Sequence, residues 1–213
     1  TDLAVDKINS SGGINGKEVK VIYEDSKASP KEGVAAFRKL YELDSCDIVI
    51  GVPASNVTLA IAPVANNMER VLLTSGSTAT EVGNAGPYIF RIMPSDEEQT
   101  RVMSDWAQDL GYKKIAVIYV QNSWGKGLAD KFIEDFKSKG GEIVVSIGTK
   151  QETTDFKTQL LKIKGTNADA IYAPLYTRNA GLMIRQAREI GIDFQILGAD
   201  VYNTPDLIEA GGK

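Results

Sequence analysis

The 213-residue chain contains no histidine, which removes Ser-His and Cys-His nucleophile pairs, the commonest general base and the imidazole ligands of most transition-metal sites. Any catalysis would have to rely on carboxylates, lysine or a bound cofactor. The single cysteine, Cys46, has no disulfide partner within the chain and reads as a small buried side chain rather than a reactive thiol. No stretch approaches the roughly 18 uninterrupted apolar residues of a membrane span, and residues 1–9 lack the charged start and apolar middle of a secretion signal. If the protein is exported, its signal lies outside this sequence. Basic excess is missing too: 24 lysines and arginines face 28 acidic residues, for a net charge of -4, so there is no positive field for a nucleic acid.

What the chain does have is a hydrophobic content of 43%, enough to pack one large domain or two modest ones. Apolar, β-prone runs occur at residues 19–23, 48–50, 71–73, 115–120, 143–147, 170–172 and 196–197, with helical patterns between most of them. Val34, Phe37 and Tyr41 share one helical face, as do Leu128, Phe132 and Phe136, and Ala180, Met183, Ala187 and Ile190. Punctuation agrees with this division. Gly12 and Gly13 end the first helix, Pro30 begins the second, Asp155 favours a helix start, and Gly191 ends the helix before the last strand. Regular strand-helix alternation after Lys114 predicts an α/β fold of parallel sheets covered by helices on both faces.

Between the strand at 71–73 and a helix at 96–110, the alternation is broken by Gly83, Gly86, Pro87, a short strand at 89–92 and Pro94. That break marks a crossing between two lobes, residues 1–93 and 94–213. Four strands and three intervening helices in the second lobe predict a doubly wound sheet of order 2-1-3-4, with its ligand crevice at the carboxyl ends of its first and third strands.

Five strands stop at loops carrying a conspicuous residue: Ser55, Ser77 with Thr78, Trp124, Tyr176 and Asp200. Hydroxyls and helix N-termini donate to a carboxylate, a carboxylate accepts from an ammonium, and aromatic faces cover a carbon skeleton, so the set suits a small zwitterion. Each residue also has a structural reading. Ser55 reads as the N-cap of an apolar helix, residues 74–80 as a hydroxyl-rich turn, Trp124 and Tyr176 as packing, and Asp200 as a cap. Asp96, Glu97 and Glu98 open a helix, where they suit its dipole and need no metal. Nucleotide motifs fail in detail: Gly12, Gly13 and Gly16 follow a helix rather than a strand, and Gly125-Lys126 lacks the rest of a phosphate loop. No cofactor is expected. The reading requires Trp124 and Asp200 to open on one shared cavity.

The segments Tyr23-Glu24-Asp25-Ser26-Lys27, Ile50-Gly51-Val52-Pro53-Ala54-Ser55, Tyr88-Ile89-Phe90-Arg91, Trp124-Gly125-Lys126-Gly127-Leu128-Ala129, Thr154-Asp155-Phe156 and Arg185-Gln186-Ala187-Arg188-Glu189-Ile190-Gly191 resemble the periplasmic leucine/isoleucine/valine-binding protein family. The likeness runs in order along the whole chain. It implies two α/β lobes that close on an amino acid or related amide, outside the cytoplasm, and deliver it to an ABC permease in the membrane. A monomer is expected. By the same resemblance, the loops of Ser55 and of Ser77 and Thr78 hold the α-carboxylate, Trp124 and Tyr176 are aromatics beside the ligand, and Asp200 pairs with the α-ammonium.

Three departures from that family stand out. Cys46 has no partner, and Ala54 stands near where the family's second cysteine would be, so the first-lobe disulfide is absent. Asp200 replaces a glutamate, which shortens the reach to the ammonium. The likeness also begins inside the family's first helix and stops before its later crossings, which implies a piece of a longer protein whose first lobe lacks its first strand. Two rivals remain open: a sensing domain of the same fold, and an α/β enzyme using Asp200 as acid or base.

Overall fold

The structure is a computed structural model that describes residues 1–212; Lys213, the end of the second expected lobe, lies outside them. Helix α1 (Asp2–Ser10) buries no residue and ends where Gly12 and Gly13 take positive φ angles of 98° and 73°, backbone that a side chain would disfavour. Residues 19–23, expected as a strand, do not form one. Instead Asn9 clamps them, its Nδ2 donating to the Val19 carbonyl at 3.0 Å while the Val19 N–H donates to Asn9 Oδ1 at 2.8 Å. A strand needs a ladder partner along its length. Alternation predicts only which side chains turn inward, and Ile22 does pack on the core.

There follow α2 (Pro30–Glu42), β1 (Val49–Ile50), α3 (Ser55–Met68), β2 (Leu72–Thr74), a 3-10 turn (Thr80–Asn84) and β3 (Ile89–Arg91). The strands form a parallel sheet in the order β1-β2-β3, with Val49 opposite Leu72 and Leu72 opposite Ile89. Phe37 of α2, Val57 and Ile61 of α3, and Leu72 of β2 are essentially sealed from water and form its core. Cys46 is only half-buried at the edge of that core, because it sits in the loop before β1 and not in the sheet.

The chain then leaves this sheet for α4 (Asp96–Asp109), β4 (Lys114–Val120), α5 (Ser123–Ser138), β5 (Glu142–Thr149), α6 (Lys157–Lys164), β6 (Ala170–Tyr172), α7 (Thr177–Glu189), β7 (Gln195–Leu197), a 3-10 turn (Asp200–Tyr202) and α8 (Pro205–Gly211). The second sheet is wholly parallel, in the order β5-β4-β6-β7, which is the expected 2-1-3-4. Its central strand shows why. Ile115 and Val117 pack with α4 and α5 through Ala107, Phe132 and Phe136, whereas Ala116 and Ile118 pack with α6 and α7 through Leu160, Ile163 and Met183. Alternate residues face opposite layers, all four are fully buried, and an apolar run is therefore required.

Strand length separates the two sheets in stability. β4 pairs along seven residues with β5 and is also flanked by β6, while the strands of the first sheet are two or three residues long. Native-state hydrogen exchange should protect residues 115–118 and 170–172 at least about tenfold more than residues 49–50 and 72–74. Equal protection of both sheets contradicts this.

Candidate functional site

Because every strand in each sheet is parallel, the loops that lead into helices gather at the strands' carboxyl ends, the usual position of ligands in such sheets. In the first sheet this edge is a hydroxyl network. Ser55 is the first residue of α3 and not its cap; Ala54 holds the cap position and makes no side-chain bond there. The Ser55 Oγ instead accepts from the Ala79 N–H at 3.2 Å, joining α3 to the loop after β2. Ser77 is sealed from solvent, its Oγ 2.8 Å from both the Val52 carbonyl and Thr58 Oγ1, and its N–H donates to Thr74 Oγ1 at 3.1 Å. Thr74 belongs to the hydroxyl-rich run read from the sequence, whereas Thr58 is a partner that reading missed; it lies three residues after Ser55, on the same helix face. Thr78 differs from the two serines. It is buried, but its Oγ1 has no hydrogen-bond partner.

In the second sheet, Trp124 and Tyr176 stack with ring centroids 5.1 Å apart and planes 6° from parallel. They meet because β4 and β6 are neighbours, so α5 and α7 begin side by side. Asn122 fixes both. Its Oδ1 caps α5 by accepting from the Gly125 N–H at 2.9 Å, and its Nδ2 donates to the Tyr176 hydroxyl at 2.8 Å. Gly125 is needed at this point, since a Cβ there would lie 2.5 Å from the Val120 carbonyl oxygen. Asp200 follows β7 and exchanges hydrogen bonds with Gln99 of α4: Gln99 Nε2 donates to Asp200 Oδ1 at 3.4 Å, and the Asp200 N–H donates to Gln99 Oε1 at 3.3 Å.

A cavity of about 530 Å³ lies between the two halves. Its polar end is formed by Thr78, Asp96, Gln99 and Asp200, and its apolar wall by Val102, Met103 and Trp106. Thr78 and Asp200, one from each half, are therefore brought together. Trp124 and Tyr176 do not line it, and neither do Ser55 and Ser77, so the expected sharing of one cavity by Trp124 and Asp200 is not found. The physical reason is the stack itself: face-to-face contact leaves Trp124 only 5% exposed, within the core of the second sheet. A smaller cavity of about 200 Å³ lies at the start of α5, lined by Asn122, Ser123 and Lys126, with Glu81 of the first half opposite.

Asp96 corrects another expectation. Like Glu97 and Glu98 it sits in the first turn of α4, but unlike them it is 3% exposed; its N–H donates to the Thr78 carbonyl at 2.9 Å, and neither carboxylate oxygen makes a well-formed hydrogen bond, the Thr78 hydroxyl being a close neighbour. Burial pushes its pKa up from 3.8 to about 6, opposed first by the neighbouring Thr78 hydroxyl, which favours the ionised form, and then assisted by the Asp200 charge and opposed by Arg91. Asp200 is exposed, yet partial loss of hydration still raises its carboxyl, offset by the N–H groups of Val201 and of Asp200 itself. Among the described residues, no group of three or more cysteine or acidic side chains could hold a metal, and no helix is long and apolar enough to cross a membrane.

A family profile described as periplasmic binding protein matches residues 1–213. The chain belongs to that family. Among curated relatives, an amino acid binding protein of Pseudomonas aeruginosa is 31% identical over 213 residues, covering 98% of this chain and 56% of the relative. Among solved structures, the branched-chain amino acid transporter substrate binding protein LivJ of Streptococcus pneumoniae, in complex with isoleucine, superposes with a TM-score of 0.90 at 31% identity, over 99% of this chain and 60% of that one. The leucine binding protein LivK of Thermotoga maritima gives a TM-score of 0.90 at 29% identity, over 96% and 59%. This periplasmic binding protein chain thus spans rather more than half the length of the relatives it matches.

The raised pKa of Asp96 has a stability consequence. An acid whose folded pKa lies above its unfolded value keeps its proton longer when folded, so its contribution falls as pH rises from about 4 to about 6 and stays lost above. Asp96→Asn should therefore stabilise the ligand-free protein by about 1–3 kcal/mol at pH 7.5 and by almost nothing at pH 4. Thermal melts at the two pH values check this; an equal effect at both would mean that the carboxyl is not held neutral by burial.

Proposed function

We propose that this chain is the ligand-capturing part of an extracytoplasmic solute-binding protein, which holds an amino acid of branched-chain type between lobes 1–93 and 94–213 and delivers it to an ABC importer in the membrane. The observation that carries this reading is that Thr78 of one half and Asp200 of the other line a single cavity, in a chain of the periplasmic binding protein family. The Streptococcus pneumoniae LivJ structure, in complex with isoleucine, supports the ligand class. Working as a monomer and docking to a membrane permease belong to the same proposal.

In this reading the α-carboxylate meets the loop at residues 76–79 beside the start of α3, where helix N–H groups and hydroxyls favour an anion. Ser55 and Ser77 shape that loop, since their hydroxyls are engaged within it, and Thr78, which lines the cavity without a well-formed hydrogen bond from its hydroxyl, turns to the guest. Asp200 takes the α-ammonium. Trp124 and Tyr176, stacked on each other away from the cavity, brace the starts of α5 and α7 on the second lobe and are given no ligand contact in this reading. Each charge-assisted hydrogen bond contributes about 1.5–3 kcal/mol, so a few of them together with apolar cover reach the ~8 kcal/mol of a micromolar complex after ordering costs. Closure around the guest is then a population shift set by its contacts with both halves.

Two measurements test this on the intact protein. In a thermal-shift screen, branched-chain amino acids should raise the melting temperature while nucleotides leave it unchanged; a screen in which no amino acid stabilises the protein contradicts capture. By calorimetry with L-leucine, Asp200→Asn should weaken binding by about 2–5 kcal/mol, because a desolvated ammonium loses its counter-charge. Unchanged affinity would remove Asp200 from the site.

A further inference from the structure

Asp96 is a buried carboxyl to which amino-acid capture, as proposed above, gives no part. Its two oxygens make no well-formed hydrogen bond, with only the Thr78 hydroxyl close by, although the residue is 97% enclosed and borders the large cavity. Thr78, whose buried hydroxyl lies beside Asp96 without a well-formed hydrogen bond, lines the same cavity, and the fully buried Tyr172 hydroxyl on β6, outside the cavity lining but within reach of the charges of Asp96 and Asp200, has no partner either. Buried polar groups are normally paired, so a cluster of unsatisfied ones beside a cavity points to a missing partner. The charged groups around Asp96 narrow the chemistry of that partner. Asp200 comes from the turn after β7, Glu81 from the 3-10 turn of the first half, and Arg91 from β3. Arg91, the one cation among them, donates through Nη1 to the carbonyls of Thr78 and Ala79 at 3.0 Å each. It holds backbone, and although its charge reaches Asp96, neither Asp96 nor Asp200 has an ion pair among the described residues.

We propose that Asp96 is a second counter-charge for the positive end of the captured molecule, so that a primary ammonium enters at the polar end of the cavity and is recognised by Asp96 and Asp200 together. This rests on the amino-acid reading and names an acid that it did not include. Gln99, on the first turn of α4, holds Asp200 toward that end through its two hydrogen bonds, while the Asp96 N–H ties the Thr78 loop to the same helix. Asp96 is half-protonated near pH 6 in the free protein, and a cation beside it favours its ionised form, so binding releases a proton in that range. No covalent step is involved. The proton goes to buffer.

The test is calorimetric titration of the intact protein with L-leucine between pH 5 and 7.5, in two buffers of different ionisation enthalpy. Expected are net proton release near pH 6 and an affinity that rises about tenfold from pH 5 to 7.5, the change that follows when binding lowers one acid's pKa from 6 by ~2 units. Asp96→Asn should lose that release near pH 6 and bind about tenfold or more weakly at pH 7.5. The deaminated analogue 4-methyl-2-oxopentanoate should release no proton on wild type. If L-leucine binds with no proton release and a flat pH profile, or if Asp96→Asn keeps the wild-type profile, the second counter-charge is overturned while capture stands. If L-leucine and the other branched-chain amino acids do not bind at all, capture itself falls, and this inference with it.

Discussion

Parallel strands can be joined only by crossovers that return to the same end of the sheet, and the site depends on that constraint. It gathers Ser55, Thr78, Trp124, Tyr176 and Asp200 at strand carboxyl ends, although they are scattered over most of the chain. The short path from β3 to α4 then sets one sheet's edge against the other's. The bond from the Asp96 N–H to the Thr78 carbonyl fastens this path, and Arg91 reinforces it from β3. Where the halves meet, an apolar wall ends in hydroxyl and carboxyl groups.

Hydrogen bonding in that region is unequal, and the inequality has a function in the proposed reading. On the first half, Ser55 and Ser77 are satisfied from within, which makes the loop rigid before any guest arrives. At the large cavity, the side chains of Thr78 and Asp96 make no well-formed hydrogen bond. A protein that keeps a desolvated acid without a direct ion pair gives up stability in the free state, and a guest that supplies the cation recovers it. Binding energy and closure then come from the same groups.

The fold was largely legible in the sequence because parallel-sheet strands are buried on both faces. The runs around Ile115 to Ile118 and Ala170 to Tyr172 are apolar without interruption, and their alternation with helices such as the one carrying Leu128, Phe132 and Phe136 yields the second sheet's order. Residues 19–23 misled, because apolar alternation reports burial and carries no information about a neighbouring strand. Individual site residues were visible as odd types at strand ends, but their roles were not. Ser55 looked like a cap and proved to be a loop tie. Asp96 looked like a dipole residue, since the burial of one acid among three, and its approach to an acid 104 positions later, arise only from tertiary packing. Gln99 and Asn122 gave no signal beyond composition.

A crystal structure of the intact protein with L-isoleucine tests the central claim most directly. Capture between the halves predicts the ligand at the polar end of the large cavity, its ammonium within hydrogen-bonding distance of Asp200 and its carboxylate at the loop of residues 76–79. A ligand bound by one half alone, with its ammonium turned to solvent and away from Asp200, would contradict it.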